Sequence, residues 1–257
     1  LRPLAPCAGD DVFRSARRPA GAALRPYVSH YWLSRHNRED RQTVLPDGSV
    51  DLVVSGDGAS AQAWVYGTTT ASQSVPLASG AHYLGVRFHP GQSRHFLRAA
   101  AAELTDTHEP ARGLLAFDLQ DLPEQIVARP VFARLDAALL RYLQACPPIP
   151  SSLDAAIRRL TITGTPVAQA ARVYGKSLRQ FERQFQLDVG VGPKLYARIA
   201  RFQRAARRLT DPTLTLAELA ADLGYSDQSH VSHEFRRFAG LSPAAYARQP
   251  VDFLQDR

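Results

Sequence analysis

The spacing of apolar and polar positions changes character near residue 150. Upstream, branched and aromatic residues gather in short runs, Val50–Val54, Trp64–Tyr66 and Tyr83–Phe88. Turn signals such as Pro46-Asp47-Gly48 and His89-Pro90-Gly91 bound them. Runs of this kind predict strands. Two helical stretches follow, near Ser93–Ala102 and Pro123–Gln144. The segment Cys146-Pro147-Pro148-Ile149-Pro150-Ser151-Ser152 is rich in proline, which removes backbone donors and blocks helix, so it reads as a linker. Everything downstream reads as helix. The predicted organisation is a mixed N-terminal domain over residues 1–146, a linker over 147–152, an all-α domain over 153–250 and a tail over 251–257.

The helical part repeats itself. A shift of 50 residues superposes 170–198 on 220–248 with 8 identities in 29 positions, among them Phe185 on Phe235, Gly190 on Gly240 and Tyr196-Ala197-Arg198 on Tyr246-Ala247-Arg248. Chance at ordinary residue frequencies gives about two. A duplicated structural unit accounts for the excess. In the second copy Thr215-Leu216-Ala217-Glu218 is a capping box, and the helix Leu216–Leu223 stops at Gly224. A second helix starts at Ser226 or Asp227 and runs to about Phe238. In the first copy Thr165 caps, Pro166 takes the first helical position, Gly175 makes the turn, and Ser177 with Gln180 caps the helix Leu178–Val189. Helix, glycine turn, helix is the helix-turn-helix pattern. Between the copies, Leu195, Ile199, Phe202, Ala206 and Leu209 mark the buried face of a connecting helix over Pro193–Leu209.

Charge sharpens this picture. The chain carries +7, and from residue 151 onward Lys+Arg number 16 against 10 Asp+Glu. The 150 residues before them hold 15 against 14, so the excess positive charge belongs to the repeat region and favours a polyanion, nucleic acid first. Cys7 and Cys146 are too few and too far apart for a zinc cluster or a disulfide framework. The sequence holds no methionine, which fits a trimmed start, and Leu1–Pro6 lacks the apolar core of a signal peptide. No apolar run is long enough to span a membrane, so no membrane partner and a cytoplasmic, nucleoid-associated location are expected.

From Leu219-Ala220 through Leu223-Gly224-Tyr225, Phe235 and Phe238 to Gly240-Leu241-Ser242-Pro243-Ala244-Ala245-Tyr246, the chain resembles the DNA-binding domain of the AraC/XylS family of transcription regulators. The resemblance covers about residues 151–249. It implies two helix-turn-helix units whose second helices enter adjacent major-groove segments of double-stranded DNA. Carried over residue by residue, it makes Arg179, Glu182 and Arg183 base-facing in the first unit and Gln228, Ser229 and His233 in the second. Arginine pairs with guanine, glutamate accepts from cytosine and glutamine suits adenine. His233 stands where the family commonly has arginine. Thr165, Thr215, Arg198 and Arg201 are the phosphate candidates, which position without specifying.

Tyr27-x-x-x-Tyr31-Trp32, Leu45-Pro46-Asp47-Gly48, Gly85-Val86-Arg87-Phe88-x-Pro90-Gly91 and Glu103-Leu104-Thr105-Asp106 resemble an uncharacterised (DUF6597-like) domain found ahead of AraC-type domains, and Phe253-Leu254-Gln255-Asp256 fits the same subgroup. That implies an α+β, β-rich domain plus helices, with a cupin-like barrel as one form, followed by the all-α domain. Such domains bind a small effector, dimerise, or both. Trp32, Trp64 and Tyr83 are the candidate pocket aromatics, and Arg87 the candidate anchor for an anionic effector. The histidines His30, His36, His82, His89, His95 and His108 have no compact metal spacing, so neither metal nor cofactor is expected. The reading is a non-enzymatic regulator, with an effector, a second copy of the chain and RNA polymerase as candidate partners. Its alternative is a constitutive regulator whose N-terminal domain only dimerises.

Overall fold

A computed structural model describes residues 15–34, 41–56, 61–119, 132–211 and 213–248. Cys7, His36, the first part of the predicted Pro123–Gln144 helix and the Phe253–Asp256 tail lie outside the described residues. The N-terminal strands are β1 (Ser15–Arg18), β2 (Val28–Ser34), β3 (Arg41–Val44), β4 (Asp51–Gly56), β5 (Ala61–Tyr66), β6 (Gln73–Pro76), β7 (His82–Phe88) and β8 (His108–Pro110). Six form an antiparallel sheet in the order β1-β2-β7-β4-β5-β8, while β3 and β6 pair with each other as a separate ribbon. The sheet keeps two open edges, so the barrel expected as one form does not close among the described residues.

Alternation along the strands sorts the side chains. Tyr31, Leu33, Leu52, Val54, Val65, Leu84, Val86 and Phe88 point to one face and pack with Phe96, Leu104 and Leu115. The helix α1 (Phe132–Ala145) covers that face through Leu135, Leu139 and Leu143, and its Asp136 accepts a hydrogen bond from the Tyr31 hydroxyl at 2.6 Å. Trp32, Asp51, Val53, Tyr83 and Arg87 take the opposite face by the same period of two. The helix expected over Ser93–Ala102 is instead two 3-10 turns, Ser93–His95 and Ala101–Leu104, separated by an isolated bridge from Leu97 to Leu115.

The helical domain opens with α2 (Ser152–Arg158), capped by Ser151 and continued by a π turn over Arg159–Thr163. Then come α3 (Val167–Tyr174), α4 (Leu178–Val189), α5 (Pro193–Arg208), α6 (Leu216–Leu223), α7 (Gln228–Ala239) and α8 (Pro243–Arg248). Helix α3 begins one residue later than expected: Pro166 is the N-cap, with ψ at 141°, and Thr165 stands outside the helix. Each unit buries an aromatic pair in the same way. Phe185 meets Tyr196 at 5.3 Å between ring centroids, and Phe235 meets Tyr246 at 5.4 Å. Phe202 of α5 packs on Phe235 at 5.1 Å and shares one core with both units.

Two partly buried histidines set a pH dependence. Burial, then the nearby charges of Arg87 and Arg17, pushes the His30 imidazole down to about 4. Burial and Arg94 do the same to His95. Both stay neutral in the fold while an unfolded chain protonates them near 6.5. The unfolded state therefore binds more protons between pH 6.5 and 4, and stability falls as pH drops through that window. Urea midpoints at pH 7 and pH 5 should show this loss, and His30→Gln with His95→Gln should shrink it. An identical loss in the double variant would assign the effect elsewhere.

Candidate nucleic-acid interface

Each unit presents its second helix through the same local chemistry. Ser177 accepts a hydrogen bond from the Gln180 amide at 3.3 Å while the Gln180 side chain returns to the Ser177 amide at 3.1 Å. Asp227 caps α7 by accepting from the His230 amide at 2.8 Å. The turns close on Gly175 and Gly224, at φ of 79° and 72°, a conformation that favours glycine. Phe181 and Phe185 of α4, and Val231, Phe235 and Phe238 of α7, are fully buried. The opposite faces carry Arg179 and Arg183 in the first unit and Gln228, Ser229 and His233 in the second, all exposed, with Glu182 half-buried beside them.

The phosphate candidates fare differently. Thr215 is committed to its capping box: its hydroxyl donates to Glu218 at 2.7 Å and accepts from the Glu218 amide at 3.2 Å. Arg198 and Arg201 both reach Glu234 of α7, at 2.7 and 3.5 Å, and Glu234 has no solvent exposure. Arg201 also donates to the Gly224 carbonyl at 3.0 Å and lies 4.3 Å over the Tyr225 ring. Two further arginines of α5 are similarly occupied. Arg204 donates to the Thr161 carbonyl, and Arg208 pairs with Asp222 at 2.6 Å. The connecting helix thus ties the domain together, while Arg198 and Arg201 keep part of their surface exposed. Glu234 escaped the sequence reading, although a carboxylate between Val231, Phe235 and Phe238 on the apolar face of a helix was its visible signal.

The first unit also rests on the β domain. The Thr68 hydroxyl donates to the Val189 carbonyl at 2.7 Å, and the Thr105 hydroxyl to the Gly190 carbonyl at 2.7 Å. These are carbonyls at the end of α4, where a helix leaves acceptors without partners. Arg94 bridges Asp154 of α2 at 2.7 Å and Asp188 of α4 at 3.8 Å, and Gln203 of α5 donates to the Pro46 carbonyl at 2.7 Å. None of these contacts was legible beforehand, since their partners lie 60 or more residues apart.

Two clefts flank the outer face of the sheet. One, of about 60 Å³, lies between the sheet and the β3–β6 ribbon and is lined by Trp32, Tyr83, Val53, Tyr66 and Val75, with Arg87 and Asp51 at one end. Gly85 stands opposite Trp32 in the β2–β7 register, and any side chain there would strike the indole. The other, of about 180 Å³, lies between the sheet and α5, with His30, His89, Arg87, Tyr196 and Gln203 on its walls. Trp64 joins neither; its ring lies 5.6 Å from that of His108. Arg87 does not await an anion. It is buried, 2.9 Å from Asp47 and 2.6 Å from Asp51, so two carboxylates outweigh its charge.

Residues 170–249 match the family model described as "Helix-turn-helix domain", and residues 16–110 match "Domain of unknown function (DUF6597)". Over 85 residues the chain is 34% identical to a "Putative AraC-like transcription regulator" of Streptomyces lividans, covering 33% of this chain and 28% of that protein. It is 32% identical over 85 residues to the "HTH-type transcriptional activator RhaS" of Escherichia coli, covering 33% of this chain and 31% of that protein. The match thus spans less than a third of the length of these curated relatives. Among solved structures, apo ToxT from Vibrio cholerae aligns at TM-score 0.45 and 10% identity, over 90% of this chain and 98% of that one. The duplicated, capped units define a helix-turn-helix module. Residues 170–249 are thus similar to the helix-turn-helix domain of AraC-like regulators, and they follow a region, residues 16–110, that matches DUF6597.

Arg201→Ala should cost about 3 kcal/mol of stability, the low end for removing one partner of a buried ion pair, because Arg198 remains. It should leave the salt dependence of DNA affinity unchanged. A slope lowered by about 1 would instead show that Arg201 binds a phosphate.

Proposed function

We propose that this protein is a sequence-specific, DNA-binding transcription regulator that acts in the cytoplasm on the nucleoid and is modulated through its β domain, residues 1–146. The observation that carries the reading is the pair of capped helices, α4 and α7, each with phenylalanines buried on one face and polar readers exposed on the other. Helices of this kind read the major groove from adjacent segments of one duplex face. The charged readers Arg179, Glu182 and Arg183 give the first unit the larger share of discrimination, with Gln228, Ser229 and His233 adding neutral contacts. RNA polymerase and a second copy of the chain are the further partners this function calls for.

The modulating ligand belongs in the cleft between sheet and ribbon. Its lining is mostly apolar and aromatic, and two carboxylates outweigh its one arginine, so it suits a small molecule with an aromatic or aliphatic body and no anionic group. That revises the expectation of an anion. A contiguous path links this cleft to the DNA-reading end. Val75 of β6 lines the cleft, and Gln73 at the start of β6 donates to Asp106 at 3.2 Å. Asp106 also accepts from the amide and hydroxyl of Thr70, both at 2.7 Å, and it holds φ at 60°, an uncommon state that this network maintains. Thr68 and Thr105, on either side, grip the end of α4. Movement of the ribbon therefore reaches the first recognition helix through Gln73, Asp106, Thr70, Thr68 and Thr105.

Arg183→Ala should cost ~1–3 kcal/mol on the specific site and much less on random DNA. Titrations by fluorescence anisotropy check this, and equal losses on both DNAs would reduce Arg183 to a phosphate contact. A thermal-shift screen of neutral aromatic compounds should find a stabiliser, worth about 2.7 kcal/mol at a hundred times its Kd. Trp32→Ala should abolish that shift. The double variant Thr68→Val, Thr105→Val should keep the shift but lose any effect of the compound on DNA affinity. If no compound shifts the melt or the affinity, the protein is a constitutive binder.

A further inference from the structure

Leu178 is an exposed leucine at an unusual place. It retains 47% of its surface, and among the described residues only Ile149 and Ile162 are large hydrophobics exposed further. Isolated exposed leucines are ordinary on protein surfaces. Three observations set this one apart. It is the first residue of α4, directly after the Ser177 cap, and the N-terminal residues of a recognition helix are those that contact base edges. It packs on neither hydrophobic core, although its helix neighbours Phe181 and Phe185 are fully buried. Under the 50-residue repeat it superposes on Gln228, the first residue of α7 and a proposed base reader, so each recognition helix begins with one exposed side chain, apolar in the first and polar in the second.

The major groove offers one apolar group, the 5-methyl of thymine. We propose that Leu178 is a specificity-determining residue that contacts a thymine methyl, next to the base pair read by Arg179. Exposure of a leucine among Lys176, Arg179 and Arg183 then has a physical reason. Cations hold the phosphates and guanines, while the leucine discriminates a thymine from a cytosine, which lacks the methyl. The inference rests on the DNA-binding reading above, and the test separates the two.

Binding sites are first selected from random duplexes with the full chain. Each thymine of the selected site is then replaced by uracil, which keeps its pairing and removes only the methyl. The wild-type protein should lose about 4-fold in affinity at one thymine, the equivalent of one buried methyl group. Leu178→Ala should bind that thymine site more weakly and be indifferent to the uracil replacement there. Leu178→Gln copies the second unit and preserves helix propensity. Its selected sites should exchange the thymine for adenine. A wild type that tolerates uracil at every position overturns the proposal while leaving DNA binding intact, as does an equal uracil penalty in wild type and Leu178→Ala. Failure to select any sequence overturns the regulatory reading and this proposal with it.

Discussion

A carboxylate with no solvent exposure has to be neutralised where it sits, and Glu234 is such a group. Arg198 and Arg201, three residues apart on α5, both reach it. Arg201 holds the Gly224 carbonyl and the Tyr225 ring as well, so one guanidinium joins the connecting helix, the turn glycine, the aromatic after it and the recognition helix. Hydrophobic contact alone leaves helices free to slide by small amounts, because it has no direction. Ion pairs and hydrogen bonds at fixed distances do not. The angle of α7 to α5 is therefore set by Glu234, with Phe202, Phe235 and Tyr246 filling the space around it.

The first unit lacks this device. The repeat places Gln184 where the second unit has Glu234, and Gln184 bonds Asp188 on its own helix at 3.0 Å. Its anchor comes from outside, through Arg94, Thr68 and Thr105 of the β domain. Two units with the same capping and core thus have opposite attachments, one internal and one external. A domain that holds the end of the first reader by hydrogen bonds and an ion pair is placed to alter the spacing between the two. The second unit follows through α5, whose Gln203 is itself held to Pro46.

What could be read from the chain alone follows the range of each interaction. Capping boxes and glycine turns are encoded within about a dozen residues, so they are visible in the sequence, and α4 appears with the bounds expected. The strand at Tyr83–Phe88 is visible because branched and aromatic residues gather there ahead of the His89-Pro90-Gly91 turn. The 3-10 turns near Ser93 were mistaken for a helix because short apolar runs fit either form. Arg87 read as an open anchor because Asp51, which neutralises it, is 36 residues away. Arg198 and Arg201 read as phosphate ligands for the same reason, with Glu234 at 36 and 33 residues. Charge counts locate cations without saying which carboxylate meets them.

Arg87 brings these threads together. It lies on the strand face shared by both clefts, with the ribbon on one side and α5 on the other. Its partner Asp47 belongs to the turn that carries Pro46, whose carbonyl receives Gln203 of α5. Its other partner, Asp51, also accepts from the Trp32 indole at 3.4 Å, on the wall of the ribbon cleft. The buried triad therefore stands between the ribbon cleft and the connecting helix and touches the framework of both. A charge so placed costs stability unless both carboxylates stay in register. A shift of Trp32 disturbs Asp51 and, through Arg87, the turn that holds α5. The β domain then has two mechanical links to the DNA-reading end, threonines at the end of α4 and this triad at the middle of α5, and both begin at the same apolar cleft.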